Sequence, residues 1–210
     1  MKVLALGDCH SRFKEVLSII DKEQPDTIIQ VGDLCEVADL DKYAVKFFRE
    51  WESKLYYVRG NHDEWDMTFG NVLNGLHIIN GRRVVGLSGM YRSKYLSKHN
   101  KKYWSAKDLI QLSHLTNVDL FISHEPFYGV GVKKRRKDVG IPILTHVIDY
   151  MQPRVALFGH NHKFKLSFYK NTIAISLPPP RKGYGILEYD NVDLVNFYII
   201  LKDKKKEIRL

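Results

Sequence analysis

The chain has 210 residues, 44% hydrophobic and 27% charged, which is ordinary for a globular protein and enough for one substantial core. No apolar run approaches the about 20 residues that a membrane-spanning helix needs, which argues against a helical membrane protein. A formal net charge of +9 favours acidic partners such as phosphates and nucleic acid.

Lys2 to Gly7 reads as a first strand rather than a signal peptide, because the apolar run is too short and no small-residue cleavage site follows. Ser11 is placed to cap a helix whose apolar positions are Phe13, Val16, Leu17 and Ile20. Thr27 to Val31 is a second strand, Leu40 to Trp51 a second helix with Tyr43, Phe47, Phe48 and Trp51 inward, and Leu55 to Val58 a third strand. Right-handed crossovers make these three strands parallel, so that their carboxyl ends share one edge, the edge where open α/β sheets place their sites.

The middle of the chain predicts a hairpin, Leu76 to Asn80 and Arg83 to Ser88, around Asn80-Gly81. A long polar loop follows, 90–104, with Tyr91, Tyr95, Tyr103 and Trp104; these rings suit ordinary loop packing or stacking on bases. Ser105 with Asp108 reads as a capping box opening a helix with Leu109, Leu112 and Leu115 inward. After a strand over Val118 to Ile122 and a basic loop, 127–140, Pro142 opens a helix lined by Leu144, Val147, Ile148 and Met151. Arg154 to Phe158 is a strand, and four more follow: Phe164 to Tyr169, Thr172 to Ser176, Tyr184 to Tyr189 and Leu194 to Leu201. No boundary divides the chain, so residues 1–210 read as one domain of the α/β (α+β) class. The expected architecture is a four-layer α-β-β-α sandwich, two mixed sheets packed face to face with helices outside. Residues 202–210 read as a basic solvated tail, and loops 90–104 and 127–140 as the rim of a substrate site.

Five of the strand exits carry metal-ligand chemistry: Gly7-Asp8-Cys9-His10, Gly32-Asp33, Gly60-Asn61-His62-Asp63, Ser123-His124 and Gly159-His160-Asn161-His162. Asp8, His10, Asp33, Asn61, His124, His160 and His162 supply oxygen and nitrogen donors suited to divalent first-row ions. Seven donors exceed the need of one ion and suit two ions sharing a carboxylate. In Asp8-x-His10 and His160-x-His162 the spacing of two lets both members of an extended pair face one ion. Cys9 and Cys35 are the only cysteines; they read as small buried fillers, form no disulfide framework, and point to a reducing cytoplasm.

In this order, the five motifs resemble those of the calcineurin-like metallophosphoesterase superfamily over residues 1 to about 165. The resemblance implies a dinuclear phosphoesterase, with Asp8, His10 and His162 on one ion, Asn61, His124 and His160 on the other, and Asp33 bridging. It implies attack on phosphorus by a hydroxide between the ions. It makes His62 the residue that contacts phosphate and protonates the leaving group, with Asp63 a candidate to orient its ring. The metal is expected to be manganese, with iron, zinc, nickel or cobalt as alternatives.

Two departures bear on substrate. The phosphoprotein-phosphatase branch carries an Arg after its Gly-Asp, whereas here the run is Leu34-Cys35-Glu36-Val37. The Asn-Pro-Gly-Ser often found after the histidine pair in small phosphodiesterases is replaced by Leu177-Pro178-Pro179-Pro180. The expected substrates are phosphodiesters or nucleotides, bound through Asn61, His62 and the basic loop residues Arg135 and Arg136. A nuclease or nucleic-acid-binding protein using that loop, a phosphomonoester or phosphoprotein phosphatase, and a metal-binding scaffold without turnover are the alternatives. Oligomeric state is left open.

Overall fold

The computed structural model describes residues 1–36, 40–66, 68–92, 102–134, 137–191, 193–202 and 204–208. In chain order these form β1 (Lys2–Leu6), α1 (Phe13–Glu23), β2 (Thr27–Gln30), α2 (Lys42–Trp51), β3 (Leu55–Tyr57), β4 (Asn71–Val72), β5 (Gly75–Ile79) and β6 (Arg82–Leu87). There follow β7 (Met90–Tyr91), β8 (Tyr103–Trp104), α3 (Ala106–Leu112), β9 (Leu120–Ser123), β10 (Lys133–Lys134), β11 (Lys137–Asp138), α4 (Pro142–Met151) and β12 (Val155–Phe158). The chain then forms β13 (Lys165–Tyr169), β14 (Thr172–Ser176), β15 (Gly183–Asp190), β16 (Asp193–Leu201) and β17 (Lys204–Ile208).

Among the described residues there are two large mixed sheets, ordered β17-β16-β15-β1-β2-β3-β4 and β13-β14-β12-β9-β6-β5. β1, β2 and β3 are parallel in the first, and β6, β9, β12 and β14 in the second. The alternation of side chains along each strand builds the layers. Val3 and Ala5 of β1 pack with Leu157 and Ile175 of the second sheet between the two sheets. Leu4 and Leu6 of the same strand turn the other way, onto Phe13 of α1 and Phe47 of α2. The second sheet repeats the arrangement, with Phe121 and Phe158 against Leu144 and Ile148 of α4 and Leu109 of α3. The result is the α-β-β-α sandwich. Phe13, Phe47 and Phe48 meet with ring centroids 5.1–5.3 Å apart; burying each ring contributes about 1.5–3 kcal/mol.

Local chemistry explains most of the boundaries. Asp41 caps α2 by accepting from the backbone N–H groups of Tyr43 and Ala44, which starts that helix after Leu40. Ser105 and Asp108 form the capping box of α3, and Pro142 occupies the first turn of α4. Asn80 and Gly81 both have positive φ, 50° and 79°, as a two-residue hairpin turn requires.

Three expectations change. Ser11 does not cap α1: it is itself left-handed at φ 59°, and its hydroxyl accepts from the Glu36 N–H. Leu115 lies beyond the end of α3 and is only partly buried. Within the expected tail 202–210, Lys204–Ile208 is not free, because it pairs antiparallel with β16 and Ile208 is buried between the sheets; residues 203, 209 and 210 lie outside the described residues. The lysines of β17 sit on an edge strand, where charge discourages pairing with another chain. Within the expected long loop, β7 and β8 pair and Trp104 is buried; residues 93–101, Tyr95 included, lie outside the described residues. Among the described residues no helix is long and apolar enough to cross a membrane.

Candidate metal centre

The strand exits converge. Asp8 and His10 follow β1, Asp33 follows β2, Asn61 and His62 follow β3, His124 follows β9, and His160 and His162 follow β12. Sharp turns aim these side chains back over the strand ends. His10, Asp33, His160 and His162 all have positive φ, between 48° and 65°. Such strained backbone gathers at functional sites, where the surrounding structure holds it in place. Glycines make room: a β-carbon on Gly32 would strike the His124 ring, and one on Gly60 would strike the Asp33 carboxylate.

Two donor groups result. In the first, ligand atoms of Asp8, His10, Asp33 and His162 all lie within 4.8 Å of one another. His10 Nε2 is 3.0 Å from His162 Nε2 and 4.0 Å from Asp33 Oδ2. In the second, three donors surround His124 Nε2: Asn61 Oδ1 at 3.2 Å, His160 Nδ1 at 3.3 Å and Asp33 Oδ2 at 3.3 Å. Asp33 therefore belongs to both. The Nδ1–H of His124 donates to the Val31 carbonyl at 2.9 Å, which fixes the ring so that Nε2 faces the other donors.

The electrostatics are those of acids and imidazoles packed together out of water. Burial raises the Asp8 carboxyl, against the pull of His124 and the His160 N–H. Burial also opposes ionisation of Asp33, yet the His124 ring and the His62 N–H bring it down to about 2. Burial would push His124 down, but Asp33 and then Asp8 carry it up to about 9. Burial lowers His162. Asp8 Oδ1 accepts from the His160 N–H at 2.8 Å, while its buried Oδ2 has no hydrogen-bond partner. A buried carboxylate oxygen left without a partner is costly and asks for a cation. The carboxylate, amide and imidazole donors around it fit a divalent first-row ion.

The flanking residues divide. The His62 side chain is 57% exposed at the mouth, and its backbone N–H donates to Asp33 Oδ1 at 2.9 Å. Asp63 does not orient the His62 ring. It is fully buried, and its oxygens accept backbone N–H groups of Asp33, Leu34, Cys35 and Gly60 at 2.7–2.9 Å. It ties the Gly32-Asp33 turn to the Gly60-Asn61 turn, while burial holds its carboxyl above the usual range. The carboxylate beside His62 is Glu36, with Oε1 3.7 Å from His62 Nδ1 and hydrogen-bonded to His10 Nδ1. Sequence reasoning misses this role, since in the sequence Glu36 is only part of a run lacking an arginine. Arg135 and Arg136 lie outside the described residues. Tyr91 packs on Trp104 with centroids 5.1 Å apart, and the Arg92 guanidinium lies 4.2 Å over Tyr103, so these rings are engaged in packing. Cys9 and Cys35 are buried and free of disulfides.

Imidazoles and carboxylates gathered at the shared edge of two packed sheets define a metal-dependent hydrolase. Residues 1–164 match the calcineurin-like phosphoesterase family, and the chain belongs to that family as a metal-dependent hydrolase of ester bonds. It is 23% identical to the lariat debranching enzyme of Entamoeba histolytica, over 90% of this chain and 75% of that enzyme. Among solved structures it is similar to TT1561 of Thermus thermophilus, with TM-score 0.67 and 18% identity over 89% of this chain and 93% of that one. The phosphoesterase Yfce from E. coli matches with TM-score 0.54 and 15% identity, over 100% of this chain and 97% of that one. At these identities the structural matches speak to the fold.

Proposed function

We propose that the protein hydrolyses phosphodiesters, using two divalent ions, with manganese the first to try. The observation that carries this reading is the sharing of Asp33 between two donor groups. Asp8, His10 and His162 would hold one ion with it, and Asn61, His124 and His160 the other. Ions bound there supply a nucleophilic water near neutral pH and neutralise phosphate oxygens.

The remaining chemistry falls to the chain itself. His62 stands exposed at the mouth, where its imidazole can contact a phosphate oxygen and give a proton to the leaving oxygen. Its backbone N–H, bonded to Asp33, fixes the loop that presents it. Glu36 faces both His62 and His10 and so serves as a positioning residue. Similarity to a lariat debranching enzyme and the net charge of +9 support a diester substrate of the nucleic-acid type.

The test is a panel of phosphomonoesters, cyclic and linear diesters, and single-stranded nucleic acid with added manganese. Diesters should be cleaved fastest. Asp33→Asn should lose metal, and His62→Ala should keep metal and lose turnover. Normal turnover by both variants would overturn the mechanism.

A further inference from the structure

Beside the metal centre lies a groove of about 260 Å³ that this chemistry leaves unused. One wall is the outer face of α1, with Glu15, Ser18 and Lys22; the other carries Arg181, Lys182 and Lys202. Both walls start at the centre. α1 begins at Phe13, just after His10, and the Lys182 ammonium donates to the His162 carbonyl at 3.3 Å.

The basic wall is held rigidly. Pro178, Pro179 and Pro180 are buried, and the Lys182 N–H closes a turn on the Pro179 carbonyl at 2.8 Å. The Pro178 carbonyl packs against Gly7, where a β-carbon would not fit, so the turn rests on the exit of β1 directly before Asp8. Arg181 and Lys182, at its apex, are exposed. Among the described residues lining the groove, Arg181, Lys182 and Lys202 stand with Lys22 across from Glu15, whose carboxylate already lies 3.7 Å from the Arg12 guanidinium, while Glu23 accepts from the Tyr184 hydroxyl at 2.7 Å. Cations fixed before binding lose little freedom when an anion arrives. Ile19 and Tyr184 give the groove an apolar floor, against which a sugar can pack.

We infer that this groove receives a phosphate neighbouring the one cleaved, so that the substrate is an oligonucleotide chain rather than an isolated small diester. The inference rests on the metal-centre reading for where cleavage occurs, and its test is arranged to separate the two.

The probe is a fluorescent single-stranded RNA of about ten nucleotides, within the usual span of such sites. Its binding to wild type and to the Arg181→Glu/Lys202→Glu variant is followed by fluorescence anisotropy in EDTA, across a salt series, where no turnover occurs. The variant should bind about tenfold more weakly, with a salt slope smaller by about 1–2. With manganese, its kcat/KM on bis(p-nitrophenyl) phosphate should equal that of wild type, while its KM on RNA rises. Equal RNA affinity and equal salt slope in the two proteins would overturn the inference. So would inorganic tripolyphosphate displacing the probe as well as unlabelled RNA does, since that assigns the groove to bare phosphate. Should wild type cleave neither diester, the metal-centre reading falls, and the anisotropy arm still decides the groove.

Discussion

Asp63→Asn gives a sharp test of how the centre is held. Asp63 Oδ1 accepts from Leu34 and Cys35, and Oδ2 from Asp33 and Gly60. An asparagine has one oxygen, so whichever way it turns, its NH₂ faces two backbone donors. Each buried N–H without an acceptor costs about 1–3 kcal/mol; allowing for partial relaxation, the loss is about 3 kcal/mol. That is a large part of the about 5–15 kcal/mol that holds a typical domain. For a chain of this size it lowers Tm by about 6–12 °C. Urea unfolding in EDTA, which removes any contribution from metal binding, should show a lower midpoint with an unchanged slope. Manganese affinity should fall as well, because the Asp33 turn loses its anchor. A stability within about 0.5 kcal/mol of wild type, with turnover alone impaired, would refute this reasoning and return Asp63 to the His62 ring.

Other substitutions probe neighbouring links. Glu36→Gln removes the charge facing His10 and His62; metal affinity or turnover should fall about 10–100-fold with Tm unchanged, as isothermal calorimetry and kinetics on a small diester would show. Gly159→Ala would bring a β-carbon to 3.0 and 3.1 Å from the Asp8 oxygens, so it should cost about 1–3 kcal/mol of stability in urea titrations and weaken manganese binding. In the metal-free protein His124 is raised to about 9 and Asp33 lowered to about 2. The His124 contribution is full below its unfolded value of about 6.5 and is lost as pH rises through about 9. The Asp33 contribution is full above about 3.8 and is lost as pH falls through about 2. Differential scanning fluorimetry in EDTA should therefore show Tm falling between neutral pH and about 9, and His124→Gln should flatten that limb.

The sequence made the candidate metal centre legible because parallel strands end on one edge, so ligand-type residues just past strand ends come together there. It made the layers legible through alternation, as in Val3 and Ala5 against Leu4 and Leu6. What it hid were residues whose role depends on a distant backbone. Asp63 stands next to His62 in the chain, but the tight turn sends its carboxylate to the Gly32–Cys35 segment. Glu36 comes to His10 and His62 through the path of the loop after β2, and no spacing announces that. The lysines of 202–206 read as a solvated run because the pairing of Lys204–Ile208 with β16 is a backbone event that side-chain chemistry does not announce. Ser11 had the chemistry of a cap but lies on a left-handed turn, with its hydroxyl taken by the Glu36 N–H.

The central claim is that Asp33 joins two cation sites. Its most direct test is anomalous scattering from crystals of the manganese-loaded protein. The account predicts two peaks about 3.5–4 Å apart, flanking Asp33, one beside Asp8, His10 and His162 and the other beside Asn61, His124 and His160. A single peak, or two peaks with Asp33 outside the coordination of either, would contradict it.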